Sequence, residues 1–204
     1  MISALAGIAA GAIHVLTGPD HMAAVAPLAS GAPRRAWALG MRWGLGHAGG
    51  VALAGLLALA LRGFLPLDRL SSGSERLVGV VLIGIGLAGL LRAFQQGVRD
   101  AQAAGPPHLH APGRAAFGVG VVHGVAGTSH LLGVLPALAL PRAVDGVAYL
   151  AGFGAGTVAA MIVFAAIVGS IARGFENRGE RLYLGWLRGC SAVAIVTGGI
   201  WLAG

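Results

Sequence analysis

Two segments of this chain place histidines, and in one case an aspartate, inside long apolar runs. Both follow the pattern His-x3-Gly-x2-His-x3-Val-x-Pro, the first from His14 and the second, 109 positions later, from His123. Imidazole and carboxylate groups are costly in hydrocarbon, so their matched occurrence indicates a duplicated functional site. Imidazole binds Ni, Co, Zn, Cu and Fe, and a carboxylate adds one compensating negative charge. We therefore expect the site to hold a divalent transition-metal ion.

The first motif combines three candidate ligands, His14, Asp20 and His21, with the pair Gly18-Pro19. On an unbroken helix, His14 and His21 would lie about 10 Å apart along the axis, too far to share one ion. Proline removes a backbone donor and clashes with the carbonyl four residues back, so we predict a helix break at Gly18 and Pro19. Such a break folds the ligands toward each other and turns free carbonyls toward a cavity.

The second motif supplies two further candidate ligands, His123 and His130, with helix breaks predicted at Gly127 and Pro136. It has Thr128-Ser129 where the first motif has Pro19-Asp20, so it lacks a carboxylate. We therefore expect the first motif to contribute more to metal binding.

Three other histidines are candidates. His47 lies among small residues that let neighbouring helices approach closely, which would bring its imidazole into a packed centre. His108 and His110 lie in a proline-rich polar stretch and are candidates for a metal entry loop. The alternative for the buried histidines is structural, with imidazoles bonded to backbone carbonyls and Asp20 paired with Arg42.

The composition is that of a membrane protein. Of the 204 residues, 56% are hydrophobic and only 10% are charged, and the mean hydropathy is +0.81. Soluble domains carry about 25% charged residues. All basic residues are arginines, and we attribute the net charge of +7 to arginines at a membrane surface rather than to nucleic-acid binding. The single cysteine, Cys190, excludes an internal disulfide.

The apolar stretches predict an all-α polytopic membrane protein with six transmembrane helices. Each needs about 20 mainly apolar residues, and the candidates are 2–29, 37–61, 70–91, 115–140, 146–172 and 182–203. They form two three-helix repeats, 1–97 and 115–204, joined by a polar linker, 98–114. Because each repeat has an odd number of spans, the repeats must be inverted about a pseudo-two-fold axis in the membrane plane, each with a broken first helix.

The arginines predict the orientation. Ten of the 14 lie in or beside the loops between spans 1 and 2, 3 and 4, and 5 and 6, so both termini should be non-cytoplasmic. No positive residue precedes the apolar residues 2–13, so we interpret this segment as a retained membrane span and not as a signal peptide.

The stretch from His14 to Leu28, followed by Arg42-Trp-Gly-Leu-Gly-His47, resembles the nickel/cobalt transporter superfamily, and in particular its compact six-span, high-affinity nickel-transport branch. The similarity extends over most of the chain. It implies a metal-selecting signature on His14, Asp20 and His21 and a Gly-His motif on His47. Better-studied members have His-x4-Asp-His, one residue shorter than the spacing here, and eight-span members have an additional first span.

The leading hypothesis is a secondary transporter that moves Ni²⁺ or Co²⁺ through a His/Asp site near the membrane midplane. The metal would be the transported substrate, with no prosthetic group, and the protein would not be an enzyme. It would be an integral protein of a cell membrane or a plastid-type inner membrane, and a homo-oligomer is left open. The alternatives are an intramembrane metal-dependent enzyme, a haem-binding electron carrier and an exporter of a non-metal solute on the same fold.

Overall fold

The computed structural model describes residues 1–61, 67–99, 112–126, 135–137 and 139–203. Over this part of the chain the regular structure is entirely helical, which confirms the predicted all-α class. The longer helices are α1 (Ile2–Thr17), α2 (Pro19–Ser30), α3 (Ala36–Leu61), α4 (Leu67–Arg99), α5 (Pro112–Ala126), α6 (Ala143–Glu176) and α7 (Glu180–Ala203). A short 3-10 helix, Pro33–Arg35, lies between α2 and α3.

Three helical segments within the described residues are long and apolar enough to cross a membrane. They are Arg76–Gln96 within α4, the whole of α6 and the whole of α7. The α1–α2 pair is a fourth if it counts as one span. Large apolar side chains such as Ile13, Val163 and Val196 are more than half exposed on the outer surface, as expected for residues that face lipid. The count of six spans stays a prediction.

The predicted helix break at Gly18 and Pro19 is confirmed. The axes of α1 and α2 are bent by 75° about Gly18, whose backbone is extended (φ −88°, ψ 100°). The Gly18 N–H donates to the carbonyl of His14 at 3.1 Å and closes the last turn of α1. Pro19 is the first residue of α2, where a missing N–H costs nothing because that position has no helical acceptor.

Glycines bring α1 and α6 into direct backbone contact. A methyl group added at Gly7 would meet the carbonyl oxygen of Tyr149, and one added at Gly11 would meet that of Phe153. Moving four residues along α1 thus moves the contact four residues along α6, so the two helices run parallel. In lipid there is no hydrophobic driving force between helices, so the close packing that small residues allow stabilises the contact instead.

The α3–α5 pair is built in the same way. Methyl groups at Gly120 and Gly124 would meet the carbonyl oxygens of Trp43 and His47, so these helices are also parallel and tightly packed. Through this contact the last turn of α5, which carries His123, is held against the middle of α3.

Two other pairs are antiparallel. On α3 and α6, Gly40 faces the backbone of Met161, whereas Gly44, further along α3, faces Val158, earlier on α6. On α4 and α7, Gly79 and Gly198 face each other's carbonyl oxygens, at 2.7 and 2.6 Å from the added methyl positions.

The short helix α2 lies in the middle of this bundle. It contacts α3, α4, α6 and α7, and eight of its 12 residues are buried. Its C-terminal residue, Ser30, is fixed to α7: the indole N–H of Trp186 donates to Ser30 Oγ at 2.9 Å, and the hydroxyl of Tyr183 donates to the Ser30 carbonyl at 3.1 Å. The N-terminal turn of α2, which carries the first motif, is therefore held in the interior.

Candidate metal centre

Five of the predicted site residues come together in the interior. They arrive on four elements: His14 near the end of α1, Asp20 and His21 in the first turn of α2, His47 in the middle of α3, and His123 in the last turn of α5. Asp20, His21, His47 and His123 are at most 4% exposed, and His14 is half-buried. Four imidazoles and a carboxylate in an apolar bundle are an unusual concentration of metal-binding groups.

One group of potential ligands consists of His14, His21 and His47. One ligand atom from each lies within 4.8 Å of the others. The ring centroid of His21 is 4.7 Å from that of His14 and 4.8 Å from that of His47. Three imidazole nitrogens from three helices thus lie close enough together to hold one ion.

A second group consists of Asp20, His21 and His123, again with ligand atoms within 4.8 Å of one another. The two carboxylate oxygens contact different imidazoles: Oδ2 accepts from His123 Nε2 at 2.8 Å, and Oδ1 lies 3.2 Å from His21 Nδ1. Arg42, the alternative partner considered for Asp20, has its guanidinium group beside Gly113 instead. Asp20 therefore belongs to the histidine cluster.

The break at Gly18 produces this geometry. It brings the rings of His14 and His21 into edge contact, although seven residues separate them. A methyl group on Gly18 would collide with the His21 imidazole, so the close approach requires glycine at this position. The first turn of a helix also carries partial positive charge, which stabilises the Asp20 carboxylate where it lies.

Two aromatic residues that the sequence analysis missed line the cluster. Trp43 is fully buried and stacks on His47 with ring centroids 4.9 Å apart and planes 8° apart. It also contacts His123, at 5.3 Å between centroids, while Phe153 of α6 contacts His14 at 5.5 Å. The available signal was that Trp43 precedes His47 by one helical turn and so shares its face.

Four predicted site residues, Gly127, His130, His108 and His110, lie outside the described residues. Pro136 lies in the short helical stretch 135–137, where it is exposed. At the two ends of the predicted linker 98–114, α4 continues to Arg99 and α5 begins at Pro112.

The donor set fits a borderline transition-metal ion. Neutral imidazole nitrogens suit Ni, Co, Zn and Cu, and one carboxylate oxygen offsets part of a divalent charge. Ca²⁺ and Mg²⁺ prefer oxygen donors, of which the cluster supplies only one side chain.

The chain is similar to two chloroplast proteins of Arabidopsis thaliana. It is 35% identical to Chloroplast protein FOR GROWTH AND FERTILITY 1 over 214 aligned residues, which cover 97% of this chain and 58% of the relative. It is 35% identical to Chloroplast protein FOR GROWTH AND FERTILITY 2 over 193 residues, covering 89% and 51%. The chain thus spans about half the length of the curated relatives it matches. No family model and no solved structure matches it.

Proposed function

We propose that this protein is an integral membrane transporter that moves a divalent transition metal, Ni²⁺ or Co²⁺, through the His/Asp cluster, as the resemblance to nickel/cobalt transporters implies. The observation that carries the proposal is the convergence of His14, Asp20, His21, His47 and His123 inside an apolar helical bundle. The metal is substrate rather than cofactor, and we propose transport rather than catalysis.

The origin of the ligands favours a transported ion over a permanent structural one. Structural sites are usually closed tetrahedral sets that lock a fold. Here the ligands come from α1, α2 and α3 in the first half of the chain and from α5 in the second half. Any movement of α5 against α1–α2 would change the coordination, which is what release to alternate sides of a membrane requires.

The same proposal includes six spans arranged as two inverted repeats. The 109-residue offset between His14 and His123 also relates Gly11 to Gly120. Gly11 packs on the backbone of Phe153, and Gly120 packs on the backbone of Trp43. The two histidines also contact these aromatic residues in the same way: the ring centroids are 5.5 Å apart for His14 and Phe153 and 5.3 Å apart for His123 and Trp43.

The helix directions support inversion. Under this correspondence α3 matches α6 and α4 matches α7, and both pairs cross antiparallel. A direct, non-inverted repeat would give matched helices the same direction.

The arginine positions support non-cytoplasmic termini. The side chain of Arg173, near the end of α6, donates to the carbonyl of Pro33 at 2.9 Å, and Arg92 of α4 lies 3.2 Å from the position a Gly31 methyl would take. These arginines share one end of the bundle, which we assign to the cytoplasmic or stromal side. The chloroplast names of the two relatives support a plastid-type membrane as one setting for this architecture.

The test is uptake of radioactive Ni²⁺ or of Co²⁺ into proteoliposomes that contain the full chain. Asp20→Asn removes the only carboxylate of the cluster with little change of shape, and we expect it to lower the initial rate at least about tenfold. The matched control is Asp145→Asn, which makes the same change at an acid paired with the exposed Arg142, and should transport normally. Equal uptake by wild type and Asp20→Asn, or no uptake by wild type, would contradict the proposal.

A further inference from the structure

The ligands of the cluster are arranged as two overlapping groups. Among the described residues, His14, His21 and His47 form one set whose ligand atoms are mutually within 4.8 Å, and Asp20, His21 and His123 form the other. His21 is the only member of both. Two sets that share one ligand describe two adjacent positions for an ion.

The two positions differ in charge and in access. The first, which we call the outer position, has three imidazoles and no charged ligand, and its His14 is half-buried. The second, the inner position, has two imidazoles and a carboxylate, and all three residues are buried. In this structure two of its ligands are engaged with each other through the 2.8 Å bond between His123 and Asp20.

We infer that one metal ion occupies these positions in turn and that His21 stays bound to it throughout the transfer. This inference rests on the proposed transport function. The ion is first held by His14, His21 and His47, then exchanges His14 and His47 for Asp20 and His123. The Asp20–His123 hydrogen bond gives way as these two residues take up the ion, and the metal keeps its oxidation state.

Charge repulsion allows only one of the two positions to be filled at a time, and the carboxylate favours movement of the ion toward the inner position. Two divalent ions that share an imidazole in a poorly polarisable interior would repel each other strongly, so one ion per chain is expected. A dication deep in the bundle is better balanced beside a carboxylate than among neutral ligands. Because His21 is a ligand in both positions, the ion keeps at least one protein ligand during the transfer.

The test uses Co²⁺, whose visible absorption bands report the number and kind of its ligands, bound to the purified full chain in nanodiscs. His47→Gln removes an outer ligand only, and His123→Gln removes an inner ligand only. We expect wild type to bind one Co²⁺, and each variant to retain one Co²⁺ with a spectrum different from that of the other variant. Both variants should lose at least about tenfold in proteoliposome uptake.

His21→Gln removes the shared ligand, and we expect it to lower Co²⁺ affinity at least about a hundredfold, well beyond either single-position variant. His14→Gln and Asp20→Asn are second variants for the outer and inner positions. They should reproduce the spectra of His47→Gln and His123→Gln respectively, which protects the test against one variant that misfolds.

Three results would overturn the inference. They are two Co²⁺ ions per wild-type chain, identical spectra and equal affinity losses for His47→Gln and His123→Gln, or loss of all binding in either variant. Two Co²⁺ ions per wild-type chain would indicate two sites that are filled together, whereas either of the other two results would indicate a single composite site. With wild-type uptake intact, each of these results leaves the transport function standing. Absence of wild-type uptake would remove the transport function itself and the inference with it.

Discussion

At the scale of single residues, Asp20 decides the chemistry of the cluster. Its two oxygens hold two different imidazoles, those of His21 and His123. A carboxylate that contacts two of the histidines is already placed to ligate an ion that those histidines bind. The presence of histidine and aspartate in one apolar segment therefore predicted a functional site, since neither residue is retained in hydrocarbon without a role.

Metal binding should strengthen as the pH rises. An imidazole ligates metal only through a deprotonated nitrogen, so protons and metal compete for the same atoms. We expect Co²⁺ affinity to increase with pH, and protons to be released on binding, until every ligating imidazole is already deprotonated. Titration calorimetry in buffers of different ionisation enthalpy measures that release. Binding that releases no proton and does not vary at any pH at which the protein stays folded would argue against histidine ligands.

Trp43 should report the occupied site. It stacks on His47 and contacts His21 and His123, so an open-shell ion held by these imidazoles lies close to the indole. We expect saturating Co²⁺ or Ni²⁺ to quench the part of the tryptophan emission that Trp43→Phe removes, and Zn²⁺ to quench much less. Quenching of equal size in Trp43→Phe would assign the effect to other tryptophans, such as the partly buried Trp186.

The histidine ligands could be predicted from the sequence, whereas among the aromatic residues around them only Trp43 had a local signal, its spacing from His47. The repeat identified His14 and His123 because a polar side chain that recurs at a fixed offset in apolar runs is conspicuous. Trp43 and Phe153 are ordinary in such runs, and their contact with the histidines depends on how α3 packs on α5 and α1 on α6. That packing is a property of pairs of helices.

At the scale of elements, the break between α1 and α2 is the feature that makes the site. Its position was predictable because Gly18-Pro19 changes the backbone locally, through a lost donor and a steric clash. The 75° bend was not, because it depends on where α3, α4, α6 and α7 hold the buried face of α2.

Gly18→Ala should damage the site without disrupting the helices. Alanine accepts the φ of −88° at this position, so the backbone is not the obstacle. The added methyl group collides with the His21 imidazole and must displace it. We expect Co²⁺ affinity to fall at least about tenfold while the helical content stays unchanged. The control is Gly49→Ala on α3, where no atom lies within 4 Å of the added methyl; an equal loss there would assign the effect to glycine replacement in general.

Gly120→Ala should loosen the contact between α5 and α3. The methyl group would meet the Trp43 carbonyl, and overpacking of this kind costs about 1–3 kcal/mol. We expect a lower melting temperature and weaker Co²⁺ binding, because His123 moves with α5. Gly118→Ala, on the same helix with open space around the added methyl, should match wild type in both measurements. Equal effects of the two variants would mean that the α3–α5 contact does not position the site.

At the scale of the whole molecule, α6 gives the clearest test of orientation. Its 34 residues extend about 51 Å, more than the roughly 30 Å of a bilayer core, so in a membrane-spanning α6 the two ends lie on opposite sides. In a Cys190→Ala background, we expect Ala143→Cys to react with a membrane-impermeant maleimide from the non-cytoplasmic face of intact cells. Asn177→Cys should react only after permeabilisation. The reverse pattern would invert the topology.

The tightest helix contacts cross between the two sequence halves: α1 packs on α6, and α3 packs on α5. During synthesis, the ribosome must add the residues from Gly7 to Tyr149 before α1 can meet its partner, a wait on the order of 10 s at ordinary translation rates. Throughout that time the glycine stripe of α1 faces lipid or the insertion machinery. Assembly of the bundle is therefore a late event in biogenesis, and the first half alone should be a substrate for quality-control proteolysis.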